Sequence, residues 1–297
     1  MPDSLRQTHQ AETSPGSHHV IEYIIAPPSR WVNVNWAELW RYRDLFLVMA
    51  WRDISVRYKQ TALGAAWAIL QPLINMILFT VIFNRVAHIS SGDPKIPYPV
   101  FVYVGLLFWQ FYSGALTNAS NSMVINASMI QKVYFPRLII PATAVTTGLV
   151  DMAVASIVLG GMMIVYHTPP SLIGIVIMPL LIVIAALASM GLGLFLAAIN
   201  VKYRDVRHAL PFFIQLLMYV TPVIYPVSML NNYPTVKLIV VWLNPIGGVI
   251  TTARAGLLGI GHLDPLLIGA SFAGSIVLFI CGLYYFRSTE KYFADIA

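Results

Sequence analysis

The sequence predicts an all-α integral membrane protein, with six transmembrane helices, an N-terminal amphipathic interface helix, and a re-entrant hairpin between the fifth and sixth spans. Three observations carry this reading. Of 297 residues, 58% are hydrophobic and only 10% are charged, against about 25% charged in an ordinary soluble domain. The charges leave gaps as long as a bilayer crossing. The basic residues also fall mostly on one side of those gaps. The composition excludes a water-soluble globular enzyme, and it excludes disorder, which needs low hydrophobicity and high charge.

Residues 1–29 read as a polar cytoplasmic tail. Their first twenty residues lack the apolar core of a signal peptide. Residues 30–64 form an amphipathic interfacial region. Asn35 can cap a helix, with Glu38 three residues on as its capping-box partner. Trp36, Leu39, Trp40, Arg43 and Leu47 recur at helical spacing, so a Trp-rich face lies beside an Arg-rich one, as in a helix in the interface plane.

The transmembrane domain is assigned to 65–290. A helix rises about 1.5 Å per residue, so roughly 20 apolar residues cross a ~30 Å hydrocarbon core. Lys59 to Arg85 encloses 25 uncharged residues, Lys95 to Lys132 encloses 36, Arg207 to Lys237 encloses 29, and Asp264 to Arg287 encloses 22. These gaps, with the long run from Arg137 to Lys202 interrupted only by Asp151, give spans at about 65–87, 99–122, 138–166, 172–199, 208–226 and 264–286. The third and fourth are divided at His167-Thr168-Pro169-Pro170, which cannot continue a helix. Residues 234–261 are too short between Lys237 and Arg254 for a span, and contain Asn244-Pro245 and Gly247-Gly248. They read as a re-entrant hairpin, tolerated only where protein or water covers it.

With six spans, fourteen of the eighteen basic residues lie on one side. Only Arg85, Lys95, Lys237 and Arg254 lie on the other. The positive-inside rule then puts both termini, including residues 291–297, in the cytoplasm. The net charge of +6 flanks spans rather than forming a patch, so lipid headgroups rather than nucleic acid are its expected counter-charge. The single cysteine, Cys281, lies in the last span and builds no disulfide framework.

No catalytic constellation is visible. No glycine is followed by lysine, so the chain has no P-loop. There is no His-Glu-x-x-His or Cys-x-x-Cys, and no metal or cofactor is expected on this chain. Asp151 is the only acid within a predicted hydrocarbon region. It reads as a bundle-facing hydrogen-bonded acid, a gating or packing switch, or, less readily, a proton relay.

Four motifs resemble the ABC-2 type permeases that export polysaccharides such as O-antigen and teichoic acid. They are Trp51-Arg-Asp-Ile-Ser-Val-Arg-Tyr-Lys-Gln-Thr-Ala-Leu-Gly-Ala-Ala-Trp-Ala-Ile-Leu-Gln-Pro72 entering the first span, Lys132-Val-Tyr-Phe-Pro-Arg-Leu-Ile-Ile-Pro141 after the second, Asn200-Val-Lys-Tyr-Arg-Asp-Val206 before the fifth, and Thr221-Pro-Val-Ile-Tyr-Pro226 at its end. Leu243-Asn-Pro-Ile-Gly247 falls where that family has a periplasmic hairpin. The resemblance covers about residues 22–290. It implies a homodimer in a bacterial cytoplasmic (inner) membrane, bound to two copies of a separate ATPase that carries the ATP and Mg, and moving a lipid-linked glycan in lipopolysaccharide biosynthesis. The chain itself would then be a transport subunit and not an enzyme. Teichoic acid, capsule, or a smaller lipid or drug are alternative cargoes.

The resemblance also assigns roles. The turn after the second span would be a coupling helix docking on the ATPase, with Asn126, Met129, Gln131, Lys132, Tyr134, Phe135 and Arg137; the bland alternative is a loop that merely obeys the positive-inside rule. Arg204 and Asp205 would form a salt-bridged turn. Arg52, Arg57 and Lys59 are candidates for a pyrophosphate-like headgroup. The family lines its channel mainly with the first and fifth spans. The channel or gate candidates are therefore Trp67, Phe79, Phe83, Phe212, Phe213, Tyr219 and Tyr225, with Phe108, Trp109, Phe111 and Tyr112 from the second span and Trp242 in the hairpin. Weak repeated contacts suit conduction, although aromatics also serve as interface belts and bundle filler.

Overall fold

A computed structural model of the protein describes residues 36–59, 66–203 and 205–290, the Lys59 side chain aside. The tail at 1–29, Asn35, Arg204 and residues 291–297 lie outside the described residues, so the expected cap, salt-bridged turn and C-terminal segment do too. Among the described residues the regular structure is entirely helical.

Two helices, α1 (Trp36–Arg41) and α2 (Arg43–Lys59), come first among the described residues. They are joined almost without a break, since the Tyr42 and Phe46 amides donate to the carbonyls of Glu38 and Tyr42. Then come α3 (Ala66–Phe79), continuing as a π-helical turn over Thr80–Val86, α4 (Tyr98–Ile125), the single turn α5 (Ala127–Ile130), α6 (Ile139–Val165), α7 (Leu172–Lys202) and α8 (Val206–Val220). The segment expected as a hairpin has a first arm of α9 (Pro234–Lys237) and a π-helical stretch, Leu238–Leu243, and a second arm, α10 (Pro245–Leu258). The last helix is α11 (Pro265–Thr289).

Among the described residues, five helices are long and apolar enough to cross a membrane: Ala66–Val86, α4, α6, α7 and α11. The hairpin arms meet at 91° and make a sixth only if they count as one broken span. The stretch expected at 208–226 is a helix of 15 residues, about 22 Å long. It stops at Val220 because Pro222 follows Thr221, and the residue before a proline is pushed out of the helical region; Thr221 is extended, with φ −74° and ψ 139°.

The bundle centre is α4. Val100, Phe101, Val102, Tyr103, Val104 and Phe108 are fully buried, because α6, α7 and α10 pack around it. Close helix approach depends on missing side chains. A Cβ on Gly191 of α7 would sit 2.5 Å from the backbone of Leu278 and Phe279 on α11, and Gly282 of α11 abuts Gly191 in return. Small residues at such crossings let membrane helices pack by van der Waals contact. In the hairpin, Gly247 lies against the Val240 carbonyl and Gly248 against Ser271 Oγ. Those contacts let the second arm pack closely on the first, at a right angle to it, and on α11.

Candidate functional site

At the end of the bundle where α4 finishes and α6 begins, α1 and α2 lie against the connecting turn. Met49, Met123, Ile130, Phe135, Leu138, Leu194 and Phe286 form one buried cluster there. Leu39, Tyr42, Leu45 and Phe46 pack onto it. Trp36, Trp40, Leu47 and Trp51 stay exposed. The helix pair is therefore apolar on two sides, one against the bundle and one outward. This corrects the expectation that Leu39 shares a face with the tryptophans. Arg52 donates to Asp53 (2.8 Å) and to Asn126 Oδ1 (3.4 Å), and the Tyr134 hydroxyl donates to Glu38 (3.4 Å). The Glu38 carboxylate beside it holds the Tyr134 phenol above its ordinary range.

The coupling residues divide accordingly. Gln131, Lys132 and Tyr134 are exposed, while Phe135 is only 4% exposed. Asn126 caps α4 through its own side-chain bond to the Ser122 carbonyl (2.9 Å). Arg137 reaches the Glu290 carbonyl, and Met129 is half-buried. The segment has one helical turn, not a longer helix. Pro136 denies it an amide, and the chain reaches α6 through an irregular link.

From this end α2 runs along α6. Its last turn places Arg57 and Tyr58 on Asp151, both bonding to the carboxylate. Burial first, and then the bond to Asp151, push the Tyr58 phenol up to about 12, so it stays protonated and donating at neutral pH. Asp151 is thus an ion-paired acid with a second donor. The three groups sit on the wall of an open-sided cavity of about 890 Å³ between α2, α3, α4, α6 and α8. Trp67, Phe111, Gln71, Gln110 and Asn118 also line it. Of the headgroup candidates, Arg52 and Arg57 are both already paired with carboxylates; Arg57 alone lines the cavity, and the Lys59 side chain is not described.

The aromatics sort by helix. On α4, Phe108, Trp109 and Tyr112 are 0–4% exposed and serve as bundle packing; a path for cargo cannot touch them in this conformation. On α3 and α8, Trp67, Phe212, Phe213 and Tyr219 are about half exposed or more. Phe79 and Phe83 stack edge to face at 5.6 Å and pack against the core. Trp242 in the hairpin is 36% exposed.

Tyr225 belongs to a segment, 221–225, that is held on three sides. Tyr98 donates to the Ile224 carbonyl (2.7 Å), and Asn244 at the hairpin tip donates to Thr221 Oγ1 (2.9 Å). Arg254 of α10 donates to the carbonyls of Pro222 (2.6 Å), Val223 (2.5 Å) and Phe101 (3.1 Å). Its guanidinium lies 3.6 Å from the centroid of the Phe101 ring. Sequence reasoning counted Arg254 only as a charge on the far side. No partner was visible because its partners are main-chain carbonyls.

These features define a class: a helical membrane protein of several candidate spans whose helix pair α1–α2, connecting turn and inner cavity adjoin one another. The chain belongs to the ABC-2 type transporter family, which it matches over residues 44–258. It is 28% identical to the O-antigen export system permease protein RfbA of Myxococcus xanthus, over 87% of this chain and 97% of the relative. It is 29% identical to the RfbA permease of Klebsiella pneumoniae, over 85% and 95%. It is 22% identical to the polysialic acid transport protein KpsM of Escherichia coli, over 81% and 91%. The chain is thus the permease of an ABC-2 exporter.

Proposed function

We propose that this permease moves a lipid-linked polysaccharide, O-antigen-like, across a bacterial cytoplasmic membrane. It acts as a homodimer bound to two copies of a separate ATPase that binds ATP and Mg. The observation that carries this is the correspondence with O-antigen permeases along nearly their whole length. A capsule-type polymer is the second reading, favoured by the polysialic acid relatives.

In this reading α8 is a short fifth span, the hairpin is re-entrant on the periplasmic side, and both termini are cytoplasmic. ATP binding closes the ATPases. The turn at 126–137, with Gln131, Lys132 and Tyr134 outward, passes that motion to α4 and α6. Trp67, Phe212, Phe213 and Tyr219 belong to the helices that face the second subunit, and the channel opens there. The exposed tryptophans of α1 and α2 sit at headgroup level, where aromatic rings with a polar edge are favoured. A pyrophosphate-like headgroup arriving there exchanges with Asp151 for Arg57. Co-purification tests the assembly: the tagged chain should bring down its ATPase in a complex of two permeases and two ATPases, with hydrolysis stimulated by a lipid-linked glycan. A monomeric permease that retains no ATPase would overturn the assembly.

A further inference from the structure

The inner cavity carries more polar chemistry than the sequence reading assigned to it. Gln110, Ser113, Gly114, Thr117 and Asn118 all line it, and their spacing of three and four residues puts them on one face of α4. Gln71 of α3 adds a third carboxamide. The two hydroxyls are spoken for as donors, Ser113 to the Gln110 carbonyl (3.3 Å) and Thr117 to the Ser113 carbonyl (2.7 Å). The carboxamides are not. Gln110 Nε2 is buried without a partner, and among the described residues no hydrogen bond is made by the side chains of Gln71 or Asn118.

Buried polar groups in proteins are nearly always hydrogen-bonded, and at membrane depth each unmet group is costly. Gln110 Nε2 is such a group, and the uncommitted carboxamides of half-buried Asn118 and exposed Gln71 lie around the same volume, so together they mark a place that something polar fills. Each offers both donors and an acceptor, the combination that a ring of vicinal hydroxyls satisfies. Gly114 faces the open volume, since a Cβ there would meet nothing within 4 Å. Trp67 supplies a flat apolar wall and is 52% exposed. A carboxamide set with an aromatic wall fits a sugar ring, with hydroxyls on the amides and C–H groups on the indole. It suits neither an acyl chain, which would leave the amides unmet, nor a bare anion, since the uncommitted donors are uncharged.

We propose that Gln71, Gln110 and Asn118, with Trp67, form a saccharide-binding subsite inside each subunit, taking the sugar next to the lipid pyrophosphate. This rests on the exporter reading above, and adds that the permease itself reads sugar as well as lipid. Arg57 and Tyr58 line the same cavity, so a pyrophosphate there and the first sugar would be engaged together.

The test uses the full-length chain in lipid nanodiscs and two probes, farnesyl diphosphate and farnesyl diphosphate bearing one N-acetylglucosamine. The wild type should bind the sugar-bearing probe at least about tenfold more tightly. Gln110→Leu and Asn118→Leu should each remove most of that ratio, a loss of about tenfold being what one satisfied carboxamide contributes. The sugarless probe should bind all variants alike. Gln71→Leu, at an exposed position on α3, gives the same readout where a buried substitution lowers the yield of folded protein. A sugar preference unchanged in all three variants would overturn the subsite. Equal binding of both probes by the wild type would overturn it too, and ATP-driven export by the intact complex would then still uphold the exporter reading. Loss of that export would remove both.

Discussion

Arg254 holds four main-chain carbonyls, those of Phe101, Pro222, Val223 and, at 3.5 Å, Tyr225, and one aromatic ring while only 3% exposed. A planar guanidinium with five fixed donors can do this; an ammonium acts as a point charge and cannot. Arg254→Leu removes the side-chain donor from the carbonyls of Pro222 and Val223, which lie outside any helix, at about 1–3 kcal/mol for each such group left buried and unmet. Thermal unfolding of the detergent-solubilised chain should show its midpoint lowered by at least several degrees, with Arg254→Lys failing to restore it. A variant melting with the wild type would remove the clamp from this account. The residue also shows where sequence reasoning ran short. Charge counting treats every arginine as a water-facing marker, but Arg254 is turned inward. The cavity carboxamides escaped for a related reason. Gln110 and Asn118 carry no charge and lie in a 36-residue uncharged run, although their common helical face with Ser113 and Thr117 was there to be read.

At the scale of elements, the turn between α4 and α6 combines a buried anchor with an exposed surface. Phe135 sits in the cluster with Met49 and Phe286, whereas Lys132 and Tyr134 face outward. Lys132→Glu with Tyr134→Ala should abolish ATPase stimulation by lipid-linked glycan, and leave the melting midpoint within about a degree, as expected of surface changes. Phe135→Ala should lower the midpoint instead, since emptying a buried phenylalanine site costs about 3–5 kcal/mol. Equal effects of the two on melting would dissolve the division. The spans themselves were legible to within a few residues, because charge gaps and prolines mark them directly. The length of α8 was less so: 208–226 is uncharged throughout, and its helix ends early through the backbone restriction imposed by Pro222.

For the molecule as a whole, the least-covered of the apolar helices are α3 and α8. Leu210 is the only buried residue of α8, and α3 buries Pro72 and Met76 alone. Their exposed aromatics are what a second copy would cover. Phe212→Cys in a Cys281→Ser background should form a disulfide-linked dimer in native membranes under mild oxidation; only monomer there, alongside a normally folded chain, would count against the dimer face. ATP-driven passage of a lipid-linked glycan through this chain is the proposal on which the others depend. The direct measurement is translocation in proteoliposomes holding the permease, its ATPase and a fluorescent lipid-linked O-antigen fragment. Adding ATP should move the glycan to the leaflet where an added glycosidase can cut it, in wild type and not in the Lys132→Glu, Tyr134→Ala variant. Glycan that stays protected with ATP, in vesicles whose ATPase is turning over, would contradict the account.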